Sequence, residues 1–215
     1  PGMHANLARG GLPAHTLHAV RNPVTPYTPA RIAAEENRGV VFVGRIPREK
    51  GADLAALAAA RAGVPITFIG GGADVAAVRA QNPAARFTGW LERARIAEEI
   101  AAARVAVMPS RWAEPCGLVA LEAIGSGLPV VSNETALLAP EIAAEGFGLS
   151  LDTKDVDAFA AALAGLAADD GRVARMSRAG HQGYLRLCNT VPSWSGAIIE
   201  HYRAVLAQAT MRHAA

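Results

Sequence analysis

Between residues 39 and 151 the chain alternates short β-branched runs with Ala/Leu-rich stretches of about a dozen residues at helical spacing, a pattern that few folds accommodate. Gly39 to Val43 reads as a strand, Asp53, Leu54, Leu57, Ala58 and Arg61 fall on a following helix, and Pro65 to Ile69 is the next strand. Further strands are predicted at Arg86-Phe87, Val105 to Met108, Leu128 to Val131 and Gly148 to Leu151. Runs that are apolar throughout, rather than alternating, are buried on both faces, as in a parallel sheet with helices on each side. The expectation is an α/β fold, a doubly wound Rossmann-like domain over residues 39–192.

Composition narrows the class without naming a function. A chain of 215 residues, 51% hydrophobic and 19% charged, fits one globular domain or one domain with a fragment of another. There are 48 alanines, and 19 arginines stand against only Lys50 and Lys154, a bias that reads as genome composition. A net charge of +2 with both signs interspersed argues against a nucleic-acid surface, which needs cations clustered on one face. The longest apolar run, Phe159 to Ala168, is too short for a span of roughly 20 residues, so a soluble protein is expected. Cys116 and Cys188 are 72 positions apart without CxxC spacing, which suggests neither a disulfide framework nor a metal site, and a reducing cytoplasm is the simplest setting. The chain opens at Pro1 without a leader, so a fragment of a longer protein is expected. His4, His15, His18, His181, His201 and His213 lie toward the two ends and read as surface or packing residues.

Folds of this kind bind ligands at the carboxyl ends of the strands, which directs attention to the loops there. In the first, Gly44 to Gly51, a glycine allows close backbone approach, and Arg45 and Lys50 flank a helix start that already favours an anion. A diphosphate would suit it, although both cations could equally be solvated loop residues. The second, Gly70-Gly71-Gly72, resembles a dinucleotide fingerprint poorly, since Val75 stands where the third small residue belongs. It reads instead as a close backbone approach or a tight turn. The third, Thr88-Gly89-Trp90, leaves Trp90 either against a base or in the core.

The fourth loop is the most informative. A strand ends at Met108, Pro109 and Ser110 follow, Glu114 stands in the loop, Gly117 opens a helix, and Glu122 lies about a turn inside it. A diphosphate on the N–H groups of Gly117 and Leu118 would leave one carboxylate near each end of the ligand. Such an arrangement suits a nucleotide sugar, the ribose on Glu122 and the transferred sugar on Glu114, although by spacing alone two glutamates eight apart in an Ala-rich helical chain are usually surface residues.

The string Pro-Ser-x₃-Glu114-Pro-Cys-Gly-Leu-Val-x-Leu-Glu122-Ala-x₃-Gly-x-Pro-Val-Val resembles the donor-site motif of family-four retaining GT-B glycosyltransferases, and Glu-Pro-Cys-Gly-Leu is similar to glycogen and starch synthases. Gly44-Arg45 with Lys50-Gly51 resembles that family's diphosphate loop, and Asn22-Pro23-Val24 the close of its N-terminal domain. The likeness runs over roughly residues 15–205, including Ser193-Trp194 ahead of a last helix.

The resemblance implies Arg45 and Lys50 on the donor diphosphate, and Glu122 on the ribose. It places Glu114, with the backbone of Cys116 and Gly117, on the sugar, and Trp90 and Leu91 beside the base. Gly44, Leu118 and Val119 complete the expected substrate contacts, and Glu114, Arg45 and Lys50 the expected catalytic set. The departure is at Asn133 to Pro140, where the family's glycine pair is replaced by Glu134-Thr-Ala-Leu-Leu138, while Pro140-Glu141 fits. The implied domains are the tail of an acceptor domain at 1–24, a linker at 25–38, the donor domain at 39–192 and a crossing helix at 193–215. The implied activity is a retaining hexosyltransferase moving a sugar, from UDP first of all, to an acceptor hydroxyl. No metal or other cofactor is implied, and the piece alone is expected to be inactive. Any membrane contact would come through the missing domain. The alternative is a nucleotide-sugar-binding module, or a GT-B epimerase half, without transfer.

Overall fold

A computed structural model describes residues 2–213, with side chains over 5–207. Residues 214–215 of the expected last helix, and the side chains of His4 and His213, lie outside the described residues. In chain order the elements are α1 (Gly2–Arg9), β1 (Gly39–Val43), α2 (Ala52–Ala62), β2 (Ile66–Ile69), α3 (Val75–Gln81), β3 (Arg86–Gly89), α4 (Arg93–Ile100) and β4 (Ala103–Met108). After them come α5 (Leu118–Gly125), β5 (Val130–Asn133), α6 (Ala139–Ala144), β6 (Gly148–Leu151), α7 (Val156–Ala168), α8 (Asp170–Gly183) and α9 (Val191–His213).

The strands form one sheet in the order β3-β2-β1-β4-β5-β6, with every pair parallel. This is the doubly wound arrangement expected from the apolar runs. Val40 to Phe42, Ile66 and Phe68 to Ile69, Ala103 to Val107, and Val130 with Val131 are buried because helices cover both faces. Phe68 stacks on Phe87 with ring centres 4.8 Å apart. Alanines make α2 thin, and Ala52, Ala55, Ala56, Ala58 and Ala59 are all buried where it packs against its neighbours. Three strand starts differ from expectation. Ile66 rather than Pro65 opens β2, since proline has no N–H to give the ladder. Val130 rather than Leu128 opens β5, because the Leu128 N–H turns back to the Ala123 carbonyl and closes α5. β4 begins two residues early, where Gly39 pairs with Ala103.

The order of strands determines where a ligand site falls. The chain moves outward from β1 to β2 and β3, then returns to place β4 on the other side of β1, so the connections after β1 and β4 diverge and leave a crevice between them. Residues 25–38 run along the domain as a packed strap. Ile32 and Ala34 are in the core, and the Tyr27 and Thr28 N–H groups donate to the Ser126 hydroxyl at the end of α5. Arg104, 1% exposed, ties the strap to the helices, donating to the carbonyls of Glu35, Asn37 and Leu166 and to Asp170. No helix among the described residues is long and apolar enough to cross a membrane.

Candidate active site

The crevice at the switch between β1 and β4 holds a cavity of about 320 Å³. The loop after β1 supplies Gly44, Arg45 and Lys50, and the loop after β4 with the start of α5 supplies Ser110, Glu114, Cys116, Gly117, Leu118 and Val119. The floor is Phe42, Val43, Val107 and Met108, the last residues of the two strands. Eight residues expected from the sequence thus meet across 70-odd positions of chain, because parallel strands deliver their following loops to one edge.

Local backbone explains how the loops reach this position. Gly51 takes φ +70°, and a Cβ there would lie 2.1 Å from the Pro109 carbonyl oxygen, so glycine lets the β1 loop touch the β4 loop. The same contact is reinforced by the Arg111 N–H donating to the Glu49 carbonyl and by the Arg111 guanidinium, which donates to the Arg48 carbonyl and forks onto Asp53 at 2.6 Å twice. Burial pushes the Asp53 carboxyl up, but the hydrogen bonds and charge of Arg111 outweigh it and hold the group below the usual range. The triple glycine lies beneath the first loop. The Ile46 N–H donates to the Gly71 carbonyl, and a Cβ on Gly72 would come within 2.7 Å of the Ile46 carbonyl oxygen. Its close approach is to another loop.

Electrostatics inside the cavity centre on one pair. Lys50 Nζ lies 2.5 Å from Glu114 Oε2 and 5.2 Å from the centre of the Trp112 ring. The Ser110 hydroxyl is 3.4 Å from the same carboxylate oxygen, and the Glu114 carbonyl accepts from the Leu137 N–H. Asn133, fully buried at the end of β5, donates to the Ser110 carbonyl, while its Oδ1 has no partner. Arg45 is exposed at the rim. Gly117, at φ +53°, precedes α5 without a side-chain cap, and with Leu118 and Val119 it lines the cavity, so the helix start there has N–H groups that no side chain caps. The set can therefore hold an anion between two cations and a helix start, with a carboxylate beside it for hydroxyl groups.

Three expected residues stand apart. Glu122, Trp90 and Leu91 are not in the lining of this cavity. Trp90 is 77% exposed, so it is not core, and Leu91 is partly buried against the core cluster. Glu122 accepts from Arg93 at 2.7 Å, and the same guanidinium donates to the Thr25 and Pro26 carbonyls. Ser110 and Trp112 come with Glu114 in the same loop, whereas Arg93 and Tyr27 carry no motif of their own, and only the strap and the start of α4 bring them to Glu122. Cys116 also lines a second cavity of about 730 Å³, bounded by residues 5–22 on one side and Leu137, Leu138 and Glu141 on the other. Arg21 pairs with Glu141 there at 2.5 Å.

A model of the family described as Glycosyl transferases group 1 matches residues 28–183. The glycogen synthase of Mycobacterium tuberculosis is 32% identical over 177 residues, 77% of this chain and 42% of that one. A GDP-mannose-dependent alpha-mannosyltransferase of Mycolicibacterium smegmatis is 33% identical over 186 residues, 86% and 48% of the two chains. The chain therefore spans about half the length of the curated relatives it matches. Among solved structures, sucrose-phosphate synthase from Thermosynechococcus elongatus superposes at a TM-score of 0.74 with 25% identity, over 86% of this chain and 52% of that one. HepE of Anabaena, solved in complex with UDP, reaches a TM-score of 0.78 at 16% identity, over 94% and 61%, a likeness of fold.

Proposed function

The chain belongs to the group 1 glycosyl transferases, and on that footing we propose that it is the donor-binding half of a retaining GT-B enzyme that moves a hexose from a nucleoside diphosphate, UDP first, to an acceptor hydroxyl. The observation that carries this reading is the cavity in which Arg45, Lys50, Glu114 and the uncapped start of α5 converge. An N-terminal domain would supply the contacts to the acceptor, in the cytoplasm.

The donor diphosphate lies against Lys50, Arg45 and the N–H groups at the start of α5, and these take up the negative charge that grows on the leaving group. A metal is not needed for that charge. Glu114 accepts from hydroxyls of the sugar being moved, held in place by Ser110 and by the loop that Asn133 anchors. In the transfer the bond from the anomeric carbon to the diphosphate oxygen breaks, the acceptor oxygen bonds to the same face, and its proton passes to the departing diphosphate. Glu122 takes the ribose hydroxyls.

Thermal unfolding of this chain with UDP, GDP, ADP and NAD, each without Mg²⁺, tests the reading, since a ligand that binds only the folded state raises the Tm. A rise with a nucleoside diphosphate and none with NAD is expected. Stabilisation by NAD alone overturns it.

A further inference from the structure

Glu122 lies one turn inside α5, where its side chain is 19% exposed, and its ion-pair partner comes from outside the motif that contains it. Arg93, the first residue of α4, places Nη1 2.7 Å from Glu122 Oε1. Its other terminal nitrogen donates to the Thr25 carbonyl and, at 3.0 Å, to that of Pro26. The guanidinium carbon of Arg93 lies 4.9 Å from the centre of the Tyr27 ring. The Tyr27 ring is packed against the core beside this pair. Burial first, then the charge of Glu122 and its hydrogen bond, push ionisation of that phenol well above its usual range, so it stays a donor.

A lone pair between exposed side chains contributes little and would need none of this bracing. Here one planar fork is shared between a carboxylate and two backbone carbonyls, which sets both the position and the rotation of the group it holds. The strap in turn is fastened to α5. Tyr27 and Thr28 N–H groups donate to the Ser126 hydroxyl, which itself donates to the Glu122 carbonyl. A carboxylate offers about four lone-pair positions, and Arg93 with Tyr27 takes two at most, leaving room for a pair of neighbouring hydroxyls.

We propose that Arg93 and Tyr27 are positioning residues that aim the Glu122 carboxylate at the ribose hydroxyls of the donor, with Thr25 and Pro26 holding Arg93 in register. The proposal rests on the reading of Glu122 as the ribose contact. Neither residue touches the substrate. Their effect is on how well the chain tells a ribose with hydroxyls from one without.

That distinction is measured by titrating this chain with UDP and with 2′,3′-dideoxy-UDP, and with the guanosine pair if GDP stabilises it more. Wild type is expected to prefer UDP by about tenfold or more, the usual effect of hydrogen bonds to a charged group. Glu122→Gln should bring the preference close to one. Tyr27→Phe, which removes only a hydroxyl, and Arg93→Gln, at a half-exposed position, should each lower it at least threefold while the Tm stays within a few degrees. A loss that is equal for both nucleotides, leaving the preference intact, would mean that the two residues act only on the fold, and the proposal falls while the ribose contact stands. Tighter UDP binding in Arg93→Gln would show Arg93 competing with the ribose, which also overturns it. If wild type and Glu122→Gln are both indifferent to the hydroxyls, the ribose reading itself fails.

Discussion

Lys50 and Glu114, contributed by loops 64 residues apart in the chain, meet with Nζ 2.5 Å from Oε2 inside the cavity at the β1-β4 switch. The ammonium proposed to hold a phosphate is thus neutralised by the carboxylate proposed to hold the sugar, and a donor has to part them. Their side chains are 25% and 14% exposed, so the attraction is stronger than at an open surface and its loss is felt by both partners.

Removing Glu114 frees Lys50, so Glu114→Ala should bind UDP as tightly as wild type or more tightly, while losing the extra affinity that a UDP-sugar shows. Glu122→Ala should instead weaken plain UDP by about 1–3 kcal/mol. Lys50→Arg should recover little of what Lys50→Ala loses, because a planar fork has to fit between Glu114 and the Trp112 ring where a compact ammonium now sits. Calorimetry on the four variants decides the matter: equal losses of UDP affinity in the two glutamate variants, or full affinity in Lys50→Arg, contradicts these roles.

The glycine bed under the first loop predicts opposite outcomes at adjacent positions. A Cβ on Gly72 would lie 2.7 to 2.9 Å from the backbone of Ile46, whereas one on Gly71 meets nothing within 4 Å. Gly72→Ala should therefore displace the Gly44 to Lys50 loop, cost about 1–3 kcal/mol of stability and weaken UDP binding. Gly71→Ala should stay within about 0.5 kcal/mol of wild type. Urea unfolding of both, followed by UDP titration, checks the pair, and similar behaviour of the two would remove the loop-on-loop contact as the reason for the triple glycine.

Asp53 links acidity to stability through the clasp between the two loops. Its carboxyl is held below the usual range in the folded chain, so its contribution is present above the unfolded value of about 3.9 and is lost as pH falls through the lower folded value. With the two side chains 25% and 31% exposed, the contribution should be about 1 kcal/mol. Urea midpoints for wild type and Asp53→Asn should differ by a constant amount from pH 8 to pH 5 and converge below pH 4. A gap that stays constant down to pH 3 would mean that Asp53 does not act through its charge.

Much of the arrangement is legible in the sequence. Runs such as Val40-Val41-Phe42-Val43 and Val105-Ala106-Val107-Met108 are apolar at every position, which only a strand covered on both faces tolerates, and that alone points to a parallel sheet with its ligand loops at one edge. Glu114 to Glu122 identified the richest loop because glycine, glutamate and a helix start follow one another within a few residues. Strand starts were less legible. Leu128 looks like the beginning of β5, and only its hydrogen bond back to α5 shows otherwise.

Local periodicity and turn chemistry therefore determined the element types, the sheet class and the loops that carry the chemistry, since each depends on residues that are neighbours in the chain. Tertiary structure alone decided which of those loops face one another and what each charged group is bound to. Lys50 meets Glu114 because the strand order puts β4 beside β1, and Gly51 is small enough to let Pro109 approach. Arg93 meets Glu122 because a strap with no motif of its own folds back along α5 and turns two carbonyls toward a guanidinium. Pairings of this kind are set by direction and distance in space, and a one-dimensional pattern does not encode either until the sheet has closed.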